Sequence, residues 1–385
     1  MSHAILSPSA ASRWLACTPS ARLEAQFPDS AGDFAKEGSL AHEFGETILR
    51  SRLKELSTGQ FAEKVKELSD NKFYSPELQE YAEGYADFVF VKLAQAQNGT
   101  SDAVLRVEEQ IDLRAYVPEG FGTGDAIILA DGTMEIVDLK YGKGVSVSAI
   151  ENKQMMLYAL GALDMFGFMY SVNNVRMTIY QPRIDNISEW KISANELLTW
   201  GENELRSKAE IAFKGEGDFV PGKHCHFCRA KSKCRALSER NLEAAKHEFD
   251  EVALLSDNEV AKVLEKLDSI KSWATAIEDY ALKAALDGKK FPGFKLVEGR
   301  SNRKYSDEKK VAGRLMENGY KEDAIYKPKE LKGITDMEKM ITKKAFSLLL
   351  SDLIIKPQGK PTLVPASDKR QEWNSADSDF KNVEV

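Results

Sequence analysis

The chain has 385 residues, enough for roughly two to three domains. A formal net charge of −7 argues against a general nucleic-acid binder, and a hydrophobic fraction of 43% is ordinary for a globular chain. No apolar run reaches the ~18–20 residues of a membrane span, since Asp352 interrupts the closest, AFSLLLSDLII; without a basic-then-apolar leader pattern, the expected location is the cytoplasm.

In chain order, Ser7 or Ser9 is expected to cap a short helix carrying Trp14 and Leu15, with Cys17 at its end. From Lys36, Leu40, Phe44 and Ile48 recur every four residues, which predicts a helix with His42 and Glu46 on another face. A further helix is expected over 75–97. Strands follow: AVLRVEEQIDL (103–113), then two more around a turn at Asp131-Gly132, within GTGDAIILADGTMEIVDLK. Asp125 is expected to open the first of this pair, and Asp138 and Lys140 to close the second on one face with Leu139 on the other. Ser148 and Glu151 have capping-box spacing for the next helix, on which Gln154 and Tyr158 lie one turn apart. Strands at 173–183 and 188–192, a helix over 194–213 and a cysteine-bearing loop complete an α/β pattern around a mixed sheet. After about residue 250, a long helix with a near-heptad apolar stripe (Val260 to Tyr280) is expected to pack against another helix of the chain. A strand-like GFKLVEG, a basic cluster at 300–304, two short helices and a tail with Pro357, Pro361 and Pro365 follow. The expected division is 1–248 for the α/β domain and 249–385 for a mainly helical α+β accessory region.

Two carboxylates beside a lysine make an oxygen-rich site suited to Mg²⁺ or Mn²⁺ and an activated water; a surface salt bridge is the plain alternative. Between Lys223 and Arg240, six basic residues stand against Glu239 alone, a patch that suits a polyanion held at one place, or a solvated segment. Lys231 and Lys233 are the candidate phosphate contacts there. Trp14, Tyr116, Tyr141, Trp190 and Trp200 could stack on bases in a single-strand channel or simply pack. The four cysteines, Cys17, Cys225, Cys228 and Cys234, suit a metal site better than a disulfide framework; His224 and His226 keep a three-cysteine, one-histidine zinc site open.

Taken together, the segments Gly38-Ser-Leu-Ala-His42, Gly122-Thr-Gly-Asp125, Asp138-Leu-Lys140 and Gln154-Met-Met-Leu-Tyr158 resemble the four motifs of the RecB-like branch of the PD-(D/E)XK nucleases, in the right order. The resemblance implies a restriction-endonuclease-like core over about residues 1–240. It implies metal ligation by His42, Asp125, Asp138 and the Leu139 carbonyl, catalysis by Asp125, Asp138 and Lys140, and DNA contact by Gln154 and Tyr158. One cysteine ahead of these motifs and three behind them resembles the iron–sulfur staple of AddB-type helicase–nucleases, which implies a 4Fe–4S cluster on Cys17, Cys225, Cys228 and Cys234, with zinc as the alternative. The expected activity is a Mg²⁺- or Mn²⁺-dependent deoxyribonuclease acting on DNA ends or single strands, in phage or mobile-element recombination, replication or repair. The rival is a non-catalytic DNA-binding or assembly protein on the same fold. The chain contains no G-x-x-x-x-G-K-[ST] phosphate loop, so unwinding would fall to a helicase partner, alongside a possible single-strand-binding or recombinase partner.

Overall fold

A computed structural model describes residues 4–28, 32–245, 257–297, 307–317, 321 and 332–354. Its centre is a sheet of five strands in sequence order: β1 (Val104–Asp112), β2 (Phe121–Leu129), β3 (Gly132–Leu139), β4 (Val172–Gln181) and β5 (Asn186–Ser193). Neighbours run antiparallel except β3 and β4, which are parallel. A parallel pair needs a crossover, supplied by helix α6 (Lys153–Phe166).

Both faces of the sheet are covered, which is why the middle strand β3 is buried from Met134 through Leu139. Ile127, Leu129, Met134 and Ile136 pack into one layer with α6, the short helix α1 (Ala11–Trp14) and the helical stretch 194–214. Ala126, Ile128, Val137 and Leu139 face the other layer, built by α3 (Asp33–Arg52) and α5 (Pro76–Gly99) through Phe44, Leu78, Tyr85 and Val89. The expected α/β class, a mixed sheet flanked by helices with a helical C-terminal region, is what the chain adopts. Glu135 is buried within β3 yet satisfied: it accepts from Thr178 Oγ1 (2.9 Å) and pairs with Arg176 (3.2 Å) and Lys92 (3.3 Å).

Several local expectations change. Glu151 has φ +52°, a left-handed conformation incompatible with a first helical turn, so α6 begins later. Asn152 is its cap, accepting from the amides of Gln154 and Met155, while Ser148 Oγ closes a small turn with the Ile150 amide. Ser7 precedes a single 3-10 turn without a side-chain cap. The helix α4 (Thr58–Ser69) buries only Leu68, too little for an apolar stripe to mark it, and is instead fixed by a Ser57–Gln60 capping box. Residues 194–214 form the expected helix, widened by a π turn at Gly201–Leu205.

In the C-terminal region the long helix spans Asp257–Leu286, and none of its described side chains is buried. Its stripe is half-covered rather than core, and the helix is tied to the domain by Lys231 to Ser272 (3.1 Å) and Ser269 to Asn241 (3.2 Å). Residues 293–297 of the strand-like segment form no strand, so the described part of this region is helical rather than α+β. Ser256, the basic 300–304 segment and the three tail prolines lie outside the described residues. No described helix is long and apolar enough to cross a membrane.

Candidate functional site

The strand registers place the chemistry. In the β1–β2 ladder, Val107 pairs with Ala126 and Glu109 with Gly124, so Glu108 and Asp125 oppose each other between them. In the β2–β3 ladder the pairing stops at Ala126–Val137, and the next opposed pair is Asp125 and Asp138. Three carboxylates therefore stand in one row across three strands, where both ladders lapse. Glu108 itself has φ +48°, and facing inverts beside it: Leu105 and Val107 point to the α3–α5 layer, Ile111 to the α6 layer. Asp125 is thus the middle of β2 rather than its opening residue, since Phe121 to Gly124 also pair with β1.

Where the β2–β3 ladder ends, the Asp125 side chain replaces backbone pairing: its Oδ2 accepts the Leu139 amide at 2.7 Å. The same oxygen lies 3.2 Å from His42 Nδ1, brought in by α3. Ligand atoms of His42, Glu108 and Asp125 all lie within 4.8 Å of one another. On the adjoining side, Lys140 Nζ forms an ion pair with the buried Asp138 Oδ2 at 2.6 Å. Gln154 ties the rest together. Its Oε1 accepts from Lys140 Nζ (3.2 Å), and its Nε2 donates to Asp138 Oδ1 (3.3 Å) and the Tyr158 hydroxyl (3.1 Å). Gly122 serves this arrangement: a Cβ there would fall 2.8 Å from both Pro8 Cγ and Tyr158 Cε1, so only glycine lets the N-terminal turn and the tyrosine ring close over β2.

Electrostatics follow from crowding in a dry setting. Burial opposes the His42 imidazolium, but Asp125 more than offsets it and raises its pKa to about 9. Burial, reinforced by Asp125, pushes Glu108 up to about 8. Asp138 is raised by burial, partly offset by Lys140. Burial works against the charge of Asp125, and His42 outweighs it to hold the carboxyl low. Burial likewise opposes charge on Lys140, which Asp138 and Asp125 keep protonated. Oxygen-rich, with one imidazole and two carboxylates offering ligand atoms within 4.8 Å of one another, this set fits a hard divalent cation.

Glu108 is the residue that sequence reasoning missed. Strict alternation through Leu105, Val107, Ile111 and Leu113 puts Glu109 on the apolar face and Glu108 outside. That buried charge at Glu109 is the signal that facing must invert between the two.

The four cysteines form no disulfide with one another and line one pocket with Arg13, Ser20, Leu23 and His224. Buried Glu24 holds the two segments together, accepting from Arg13 Nε (3.2 Å) and the Arg229 amide (2.8 Å). Burial, with Glu24 nearby, pushes the Cys228 thiol up to about 12; four thiols lining one pocket suit a thiophilic metal centre. His224 Nε2 is 2.9 Å from the Val220 carbonyl, and His226 packs edge-on against Phe227. The lysines of this loop turn to the long helix: Lys231 to the His226 carbonyl and Ser272, Lys233 over the Tyr280 ring at 4.7 Å. Trp14, Tyr116 and Tyr141 are buried and Trp190 and Trp200 pack against the core, so packing accounts for all five candidate stacking residues.

A family model described as "Protein of unknown function (DUF2800)" matches residues 3–371, nearly the whole chain. The chain belongs to this family. A solved structure titled "Crystal structure of SSO0001" is similar to it at 16% identity, over 57% of this chain and 95% of that chain; at a TM-score of 0.21 the similarity carries nothing about fold or activity.

Proposed function

We propose that this DUF2800 member is a divalent-metal-dependent DNA nuclease of the RecB-like PD-(D/E)XK kind, an exonuclease working on DNA ends or single strands. The observation that carries the reading is the convergence of His42, Glu108, Asp125, Asp138, Lys140 and Gln154 from five elements, α3, β1, β2, the end of β3 and α6. His42, Glu108, Asp125 and Asp138, with the Leu139 carbonyl, would hold Mg²⁺ or Mn²⁺, which supplies Lewis-acid stabilisation of a phosphate and a more acidic bound water. Lys140, kept charged by the two aspartates, orients the attacking water and stabilises the growing negative charge on the phosphate. Gln154 fixes the Lys140 ammonium from one side and offers, with the Tyr158 hydroxyl, hydrogen bonds to the substrate strand. The thiol pocket would hold a 4Fe–4S cluster, or zinc, as a staple between the N-terminal helix and the end of the domain. A DNA recombination or repair role in a phage or mobile element, with unwinding by a partner, fits a sequence without a G-x-x-x-x-G-K-[ST] loop.

Digestion of end-labelled duplex and single-stranded DNA with Mn²⁺ or Mg²⁺ tests the proposal. Wild type should cleave, and Asp138→Ala and Lys140→Ala should each lose about two or more orders of magnitude in rate. If metal-loaded wild type leaves linear, nicked and single-stranded DNA intact, the catalytic proposal is wrong and a DNA-binding or assembly role takes its place.

A further inference from the structure

Gln181, the last residue of β4, is 1% exposed and uses both ends of its amide on one loop. Its Nε2 donates to the carbonyls of Gly142 (2.6 Å) and Val145 (2.9 Å), and its Oε1 accepts from the Val147 amide (3.1 Å) and from Asn186 Nδ2 (3.0 Å). Asn186 Nδ2 also reaches the Val147 carbonyl (2.9 Å), and Ser188 Oγ accepts the Ala149 amide (2.9 Å). The loop so held runs directly from Lys140 to α6 and Gln154. Its tip, Gly142 to Ser146, is exposed, and a Cβ at either glycine would meet open space, so packing does not fix its course. The backbone of Lys140 is pinned separately, its amide donating to the Tyr180 carbonyl at 2.9 Å.

Two residues further on, Arg183 reaches the other side of the site. Its Nη1 lies 3.0 Å from Glu37 Oε2 on α3, and its guanidinium stacks 4.7 Å from the Tyr141 ring centre. Glu37 is five residues ahead of His42, and Tyr141 follows Lys140. One short segment at the end of β4 therefore touches the helix that carries His42, the strand end that carries Lys140 and the loop that leads to Gln154.

We propose that Gln181 and Arg183 are positioning residues: together they set the relative placement of α3, the end of β3 and the start of α6, without touching substrate or metal. The inference rests on the hydrolytic reading of the site for its catalytic readout. A buried polar side chain with every group satisfied holds one geometry, and displacement of a catalytic group by about 1 Å can cost on the order of 100-fold in rate.

The test uses the full chain with Gln181→Leu, Arg183→Met and Arg183→Lys. In Gln181→Leu the amides of Val147 and Ala149 should exchange with deuterium about ten-fold faster or more, while unfolding stays cooperative. Its kcat on end-labelled DNA should fall about ten- to a hundred-fold, with Mn²⁺ affinity by calorimetry within about three-fold of wild type. Arg183→Met should lose activity similarly, and Arg183→Lys, which keeps the pairing to Glu37, should recover much of it. Unchanged exchange in the loop, unchanged kcat, or a loss of Mn²⁺ affinity in step with kcat would each overturn the proposal. Should Gln181→Leu fail to fold, Asn186→Ala, which removes two of the bonds around Val147, decides by the same readouts. If wild type cleaves no DNA, the nuclease reading falls by itself; the exchange rates and Mn²⁺ affinities still decide whether Gln181 holds the loop.

Discussion

Replacing Glu108 by glutamine should stabilise the metal-free protein while weakening its hold on Mn²⁺. The carboxyl is raised from 4.5 to about 8, by burial first and by Asp125 second. A group with a raised folded-state pKa gives its full stabilisation below the unfolded value and loses it as pH climbs toward the folded one. Between pH 4.5 and pH 7 the unfolded chain ionises Glu108 while the folded chain keeps it protonated. Each pH unit of that difference is worth about 1.4 kcal/mol, or roughly 3 kcal/mol at neutrality. This is an upper figure, because the carboxyl keeps some solvent contact. Glutamine mimics the protonated form at every pH and escapes the loss. Urea unfolding in EDTA should therefore show Glu108→Gln more stable than wild type at pH 7, by an increment that shrinks toward pH 4.5. With Mn²⁺ the order should close or reverse, since wild type gains RT ln(1 + [Mn²⁺]/Kd) and the variant less. A variant less stable than wild type in EDTA, or equally stabilised by Mn²⁺, would refute the assignment of Glu108 to the metal set.

Other outcomes follow from the same geometry. Because His42 is raised to about 9 and Glu108 to about 8, both carry a proton at pH 7, and binding of Mn²⁺ should release protons. Calorimetry in two buffers of different ionisation enthalpy reads that number, which should fall toward zero above pH 9; pH-independent, proton-neutral binding would place the metal elsewhere. Gly161→Ala puts a Cβ 2.2 Å from Ile111 Cγ2 and 2.9 Å from the Asp112 carbonyl, so α6 must move off β1. A loss of about 2 kcal/mol or more is expected in urea unfolding, and a neutral result would mean the helix sits farther out. Cys17→Ala should abolish bound iron or zinc and the absorbance near ~400 nm of anaerobically purified protein if an iron–sulfur cluster is present. Retention of stoichiometric metal by this variant would remove Cys17 from the centre.

The amino-acid sequence by itself determined the α/β class and the order of its elements around the sheet. The two-residue repeat of a strand put Asp138 and Lys140 on one face and Leu139 on the other, and the apolar period of α3 assigned its buried side for the same kind of local reason. The motif residues His42, Asp125, Asp138, Lys140, Gln154 and Tyr158 were singled out by the resemblance of their segments to the four RecB-like motifs. Glu108 was not, because its role depends on a left-handed backbone step that inverts the facing of β1; alternation hints at an inversion near Glu109, but only the folded backbone places the step at Glu108 and Asp125 beside it. The boundary of α6 was misjudged for a similar reason: Ser148 and Glu151 have the spacing of a cap, but the φ of Glu151 belongs to the loop that Gln181 holds from another strand. Lys231 and Lys233 looked like free phosphate contacts until the long helix supplied Ser272 and Tyr280 as partners. Tertiary structure alone set the row of three carboxylates across β1, β2 and β3, since opposition across strands is a property of register and no single strand carries it.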